Sequence, residues 1–444
     1  MKPPALARRS LIGSALAASA VRVAGANDRI SVGIIGVGNI GTRHLQRRLL
    51  PMMRRDGSVD VVAASDIYDR AKFRAKELIG LADSDIHHAY EDLLARSDVD
   101  AVVICTPDHL HARMAIDAMR AGKDVYLEKP MSRTIPEAKA IAETARETGR
   151  VLQVGSQWVS DPAYARAREM VQSGLAGPVV MAQSSYSSNH SSGVWQYYVD
   201  EEANSSTVDW QRFLGGAPEQ PFSGERFFRW RKYWDFSGGI GTDFLYHRLS
   251  PLLYALGPRF PRRVSAHGGI YLFQNREVPD TYSTTVEYDD LVINLVGSCG
   301  SQASNTLHGP ALFGQRAAIS IHPGMVRARP ERLYAEEFRR QVGVDLVEVE
   351  VDNRDQQTAR TAHMRDFLQC VRTRQEPIFD AWFGYQVMVA IRLGVDSYRD
   401  GRMIGFDPQT ERILAEIQPR HRGYEGDGSN DPDAPPSYQK RPAA

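Results

Sequence analysis

The chain has 444 residues, 42% of them hydrophobic and 24% charged, with a mean hydropathy of −0.38. That is the composition of a soluble globular protein long enough for two domains. Bases and acids number 54 each, but Lys2, Arg8, Arg9 and Arg22 all precede the first acid, so the residues after 26 carry fifty bases against 54 acids. A slightly acidic chain is a poor candidate for nucleic acid, whose phosphates demand a basic face.

The first segment in chain order reads as a leader. Arg8-Arg9 is followed by a mildly apolar run from Leu11 to Val21 and by Ala24-Gly25-Ala26, a small-x-small cleavage site. The run is too short to span a bilayer. Its small residues and the trailing Arg22 suit the twin-arginine route, which carries folded proteins, better than the general secretory one. Residues 1–26 are therefore expected to send the protein to the periplasm, with no membrane attachment after cleavage.

From Arg29 to Gly155 short β-branched runs ("RISVGII", "VDVVAAS", "DAVVICT", "DVYLE", "VLQVG") alternate with helical stretches at Arg70–Leu78, His109–Arg120 and Ile135–Thr148. Apolar strands between helices predict a parallel sheet covered on both faces, an α/β doubly wound domain over 29–155. "GIIGVGNIGTRHL" carries Gly36-x-Gly38-x-x-Gly41 directly after a strand and at the start of a helix. That is the context of a Rossmann dinucleotide-binding turn. Unpaired amides at the helix start, around Asn39 and Ile40, then face a pyrophosphate. Asp66 ends the second strand, 25 positions past Gly41. A carboxylate there holds a ribose 2′-OH and repels a 2′-phosphate, favouring NAD over NADP.

A second domain is expected over 156–407. It opens with a helix at Pro162–Ser173 and a strand in "PVVMAQSSYSS", followed by an aromatic, Gly- and Ser-rich stretch at 187–241 and a helix over Thr242–Leu256. Strand-like segments then run in series ("RRVSAHGGIYLF", "TYSTTVEYDD", "LVINLVGSC", "RAAISIH", "VDLVEVEV") before helices at Ala359–Thr373 and Ala381–Asp400. Strands in series predict an antiparallel sheet. The tail at 421–444 has no apolar pattern and is expected to be disordered.

Three stretches carry chemistry. "DVYLEKP" puts Glu128, Lys129 and Pro130 at the carboxyl end of a parallel strand, where α/β folds bind ligands. Asp243 and His247 stand i and i+4, on one face of the predicted helix, where the carboxylate would raise the basicity of the imidazole or both would grip sugar hydroxyls. Five of the six tryptophans lie between 158 and 234, and Trp158, Trp230 and Tyr233 are candidates to stack on a sugar; a subunit interface or plain core is the competing reading. His109 and His111 are two apart with no third ligand nearby, so no metal is expected. Cys105 reads as a buried hydrophobe, and a Cys299–Cys370 bridge stays open in an oxidising compartment.

The glycine turn, "TP-x-x-x-H" at 106–111, "GK-x-V-x-x-EKP" at 122–130 and "GG-x-x-x-D-x-x-x-H" at 238–247 resemble, in that order, the Gfo/Idh/MocA oxidoreductases, over about 29–407. The resemblance implies a Rossmann domain followed by an α/β domain with a large, open, mostly antiparallel sheet. It implies that Thr106, Pro107, His111 and Glu128 line the nicotinamide end of the cofactor site. It further implies that Lys129, Asp243 and His247 meet where nicotinamide and a sugar or polyol meet, and that the chain self-associates. Trp158 departs from the basic residue expected there. An exported Rossmann protein leaves the NAD pool behind, so the cofactor is expected to stay bound and to return to its starting state each turnover. Oxidising a first sugar and reducing a second carbonyl compound at the same site does this, and so does a glycosidase that oxidises, eliminates and reduces. A binding protein without turnover is the third alternative.

Overall fold

The structure is a computed structural model that describes residues 29–352 and 356–417; the expected leader and the expected tail lie outside the described residues. Six parallel strands, β1 (Ile30–Ile35), β2 (Val59–Ser65), β3 (Ile86–His87), β4 (Ala101–Ile104), β5 (Asp124–Leu127) and β6 (Leu152–Val154), form one sheet in the order β3-β2-β1-β4-β5-β6. All four residues of β4 and of β5 are buried, as a strand covered on both faces requires. The chain reverses direction of growth between β1 and β4, which opens a crevice at the carboxyl ends of those two strands. Only β3, two residues long, escaped the strand pattern.

One face is covered by helices α1 (His111–Arg120) and α2 (Ile135–Thr148). A reciprocal Thr134–Glu137 capping box starts α2, and Gly149 in the left-handed region (φ +61°) ends it. The other face receives a helix from the far end of the chain. Met364, Phe367 and Leu368 of α3 (Gln356–Thr373) join Val32, Ile34, Val61 and Val103 in one apolar cluster. Gln153 Nε2 donates to His363 O at 2.7 Å, and Arg374 Nη1 meets Asp124 Oδ2 at 2.6 Å. The nucleotide-binding sheet is thus completed by chain more than 200 positions later, which local patterning cannot reveal.

The second sheet has ten strands: β7 (Val179–Ser187), β8 (Arg263–Gly269), β9 (Thr281–Glu287), β10 (Val292–Ser298), β11 (Ala311–Gly314), β12 (Ala317–His322), β13 (Met325–Pro330), β14 (Val347–Glu350), β15 (Ile404–Asp407) and β16 (Arg412–Ile413). Their order is β14-β13-β12-β11-β7-β10-β9-β8-β15-β16, and β7–β10 is the parallel pair among antiparallel neighbours. Burial alternates along β9, β10 and β12. Tyr282, Val286, Ile293, Leu295 and Ile319 face the helices, while the opposite face is open. The helix expected over Thr242–Leu256 is broken. Ile240–Asp243 is one short helix, Phe244 and Leu245 turn, and Tyr246–Leu256 is a second. Cys105, Cys299 and Cys370 are free thiols, and Cys299 and Cys370 sit in different apolar clusters. No helix among the described residues is long and apolar enough to cross a membrane.

Candidate active site

The crevice at the switch point widens into a cavity of about 1050 Å³ whose wall includes Gly36, Gly38, Asn39, Ile40, Asp66, Thr106 and Pro107. Each glycine has its own reason. Gly36 turns the chain at φ +86°, a Cβ on Gly41 would lie 2.0 Å from Gly36 O, and a Cβ on Gly38 would meet no atom within 4 Å. The space beside Gly38 opens into the cavity. The helix starting at Asn39 has Gly38 at its N-cap and no side chain on its first amides, leaving those donors for an anion. Asp66 is fixed at the cavity wall, where Oδ2 accepts from Val37 N (2.7 Å) and Oδ1 from Tyr68 N (2.9 Å). Uncapped donors, bare glycine and a fixed carboxylate together fit a dinucleotide.

The cavity is roofed by residues of the second domain: Tyr197, Tyr198, Asp200, Phe213, Phe228 and Trp230. This roof is tied to the first domain. Tyr68 pairs with Val208 as an antiparallel bridge, with Asp69 N donating to Thr207 O (3.1 Å) and Asp209 N to Ile67 O (3.0 Å). Tyr68 Oη and Arg70 Nη1 both donate to Asp200 Oδ2 at 2.6 Å, and His109 Nε2 reaches Phe213 O at 2.6 Å.

Trp230 and Arg231 line the cavity, and Arg231 reaches the corner of Lys129, Asp243 and His247, none of which lines it. Lys129 Nζ donates to Asp243 Oδ1 (2.5 Å) and to Asp243 O (2.9 Å). Arg231 Nε also reaches Asp243 Oδ1 (3.3 Å), while Trp195 Nε1 donates to Oδ2 (2.9 Å). Burial alone would push the Asp243 carboxyl up, but the Lys129 and Arg231 charges outweigh it and hold it well below the usual range. Asp243 is therefore ionised and fully engaged, an anchor for Lys129. His247 is pushed well below its ordinary pKa by burial and by the Lys129 charge, against the opposing pull of Asp243. Its Nδ1 is buried without a hydrogen-bond partner.

A family model described as an NAD-binding Rossmann oxidoreductase matches residues 30–156, and its partner model, the C-terminal α/β domain of that family, matches 168–406. The chain belongs to the Gfo/Idh/MocA oxidoreductase family. The chain is 27% identical over 397 residues to scyllo-inositol 2-dehydrogenase (NAD(+)) of Bacillus subtilis, covering 85% of this chain and 97% of that one. A levoglucosan dehydrogenase solved with NADH and L-sorbose has the same fold (TM-score 0.66, 18% identity, 85% of this chain and 99% of that one). So does an aldose–aldose oxidoreductase of Caulobacter crescentus (TM-score 0.62, 18% identity, 85% and 100%).

In this Gfo/Idh/MocA chain several expected site residues sit elsewhere. Glu128 faces away from the cavity, accepting from buried His44 Nε2 (2.7 Å) and Gln157 Nε2 (3.0 Å). His111 lies between two backbone carbonyls, with Nδ1 2.7 Å from Pro130 O and Nε2 2.8 Å from Thr106 O, and its single N–H can serve one of them; it packs against the loop that presents Thr106 and Pro107. Gly41 is packing, not wall. Tyr233 donates to Glu225 Oε1 and carries Arg226 on its ring, outside the cavity, whereas Trp230 lines it. Trp158 lies off the cavity too, beneath the Arg248 guanidinium (5.6 Å). The expectation that Asp243 makes His247 a stronger base is corrected, because burial and Lys129 win. Sequence reasoning missed Trp195, Arg231 and Asp200. The only early sign of Trp195 was its place in the aromatic stretch, and the structure gives it φ +68°, rare for a bulky side chain.

Proposed function

We propose that this protein is an NAD-dependent oxidoreductase that oxidises a sugar or polyol hydroxyl and passes the hydride from its retained cofactor to a second carbonyl compound, exported folded by the twin-arginine route to the periplasm. The observation that carries the reading is Lys129 held by Asp243 at 2.5 Å, with Arg231 joining that carboxylate to a glycine-turn cavity of dinucleotide size. The Gly38–Ile40 amides would hold the pyrophosphate and Asp66 the adenosine ribose, which favours NAD over NADP. The nicotinamide, when bound, supplies the hydride acceptor. Lys129 donates a hydrogen bond to the substrate oxygen and its charge stabilises the developing alkoxide. His247 is the candidate to take the hydroxyl proton. Trp230, with Arg231 over its ring at 4.1 Å, walls the passage between the two ends.

The ties of Asp200, Val208 and Asp209 to the first domain, which hold the second domain against the cavity, support retention of the cofactor. The open face of the ten-stranded sheet, with Met181 and Val180 exposed on β7, supports self-association. The test mixes purified protein with NAD and single sugars or polyols. A lasting reduced-nicotinamide band that Lys129→Met abolishes without loss of NAD binding supports the dehydrogenase. Release of an aglycone with no lasting band refutes it in favour of a glycosidase.

A further inference from the structure

Beneath the glycine turn lies a buried carboxylate that the hydride chemistry does not use. Glu128 is 7% exposed and His44 is fully enclosed. His44 ends the Asn39–His44 helix and donates from Nε2 to Glu128 Oε1 at 2.7 Å. Gln157 Nε2 donates to the same oxygen (3.0 Å), and the Lys129 backbone N–H donates to Oε2 (3.2 Å). The Tyr126 ring meets the imidazole edge to face, with centroids 5.3 Å apart. A Cβ on Gly155 would lie 3.1 Å from Glu128 Cδ and Oε1, so the cage is tight on that side too. Burial would raise the Glu128 carboxyl, but the His44 hydrogen bond and the Lys129 and Arg48 charges outweigh it and bring it down to about 2.

An ionised carboxylate is costly to enclose, and apolar residues of similar volume would hold the fold as well. Its contacts give it another use. On one side is the helix whose first amides face the pyrophosphate; on the other is the backbone of Lys129, whose Nζ ends on Asp243. That helix is also irregular where it meets Glu128. A π-helical turn over Leu45–Leu49 follows His44 directly, a departure that recurs at functional sites. Neither His44 nor Glu128 lines the cavity, so an influence on cofactor or substrate has to pass through other residues. We propose that His44 and Glu128 are positioning residues that join the pyrophosphate helix to the strand end presenting Lys129, so that seating the dinucleotide and placing the lysine are one event. This rests on the oxidoreductase reading and adds a coupling within its site.

The experiment compares wild type with His44→Leu, Glu128→Gln and the double variant His44→Leu/Glu128→Leu. Stopped-flow fluorescence follows NADH release from the loaded protein, and initial rates follow NAD reduction with D-glucose, D-xylose and myo-inositol. The crossed effects decide. Glu128→Gln, on the lysine strand, should speed NADH release by about tenfold. His44→Leu, on the nucleotide helix, should lower kcat by about tenfold to a hundredfold and leave KM for the sugar within about twofold. The double variant should be no worse than the worse single one, because both break one contact. His44→Gln keeps an N–H donor and should regain part of kcat. Two leucines fill the cage and should keep the melting temperature near that of wild type. Function that returns with stability in that double variant marks a purely structural pair and overturns the proposal. So does unchanged NADH release in Glu128→Gln, unchanged kcat in His44→Leu, or effects that multiply in the double variant. The nearly isosteric Glu128→Gln keeps the test open where a leucine variant does not fold. No reduction by wild type with any of the three sugars removes the oxidoreductase reading, and NADH release still decides the coupling: faster release in Glu128→Gln keeps it, and unchanged release overturns both.

Discussion

Removing the Asp200 carboxylate should loosen the roof without touching the chemical corner. Asp200 Oδ2 accepts from Tyr68 Oη and Arg70 Nη1, both at 2.6 Å. The Arg70 side chain is 55% exposed, so its ion pair is screened and contributes little. The Tyr68 bond joins two buried partners and is charge-assisted, which is worth about 1.5–3 kcal/mol. If the roof must lift for the nucleotide to leave, Asp200→Ala should speed NADH release about tenfold to a hundredfold. Stopped-flow displacement of NADH fluorescence measures that rate. Tyr68→Phe should give a similar gain, and the double variant little more, because both delete one bond. The sign with pH follows from Asp200. The Tyr68 hydrogen bond, opposed by burial and helped by Arg70, holds its carboxyl below the usual value. The latch is thus complete above the ordinary carboxylate range and is lost as pH falls through the lowered value. Release rates within twofold of wild type in all three variants, a gap well below the tenfold step, would refute the view that this contact governs retention.

The glycine turn predicts a contrast between neighbours. Gly38→Ala should fold normally and lose NAD binding, since its Cβ enters the space reserved for the pyrophosphate, whereas Gly41→Ala drives a Cβ onto Gly36 O. The second variant should melt several degrees lower, the scale of about 1–3 kcal/mol of overpacking; calorimetry with and without NAD separates the two. Asp108, buried behind the corner with Ser237 Oγ donating to it, is pushed from 3.8 to about 7 by burial, against the Arg231 charge. A raised carboxyl means the folded state holds a proton that the unfolded state has lost, so stability falls as pH rises from about 4 towards 7. Asp108→Asn should remove that slope, and parallel melting curves of the two proteins across this window would contradict it. Trp195→Phe keeps the ring but deletes the N–H to Asp243. It should lower kcat more than it raises KM, read from initial rates.

What the sequence made legible follows the range of the forces involved. Gly36, Gly38 and Gly41 act through backbone geometry within six positions, and their roles could be read directly. The β–α alternation of 29–155 and the capping residues Thr134 and Gly149 are local in the same way. The Asp243–His247 pair was found but its geometry was misjudged, because the helix breaks at Phe244–Leu245 and burial, which no spacing reports, sets the imidazole's pKa. Trp195 reaches Asp243 from 48 positions away and His363 reaches Gln153 across 210. Such contacts exist only once the chain has folded. His111 shows the opposite error: a histidine in a recognisable motif whose ring is enclosed between two backbone carbonyls.

The most direct test is the spectrum of wild-type protein after addition of NAD and a panel of neutral and acidic sugars and polyols. A reduced-nicotinamide band that grows with one of them and is absent in Lys129→Met and His247→Ala, both still binding NAD, is the predicted result. A band that persists in both variants, or no band with any member of the panel, would contradict the assignment of hydride chemistry to this corner.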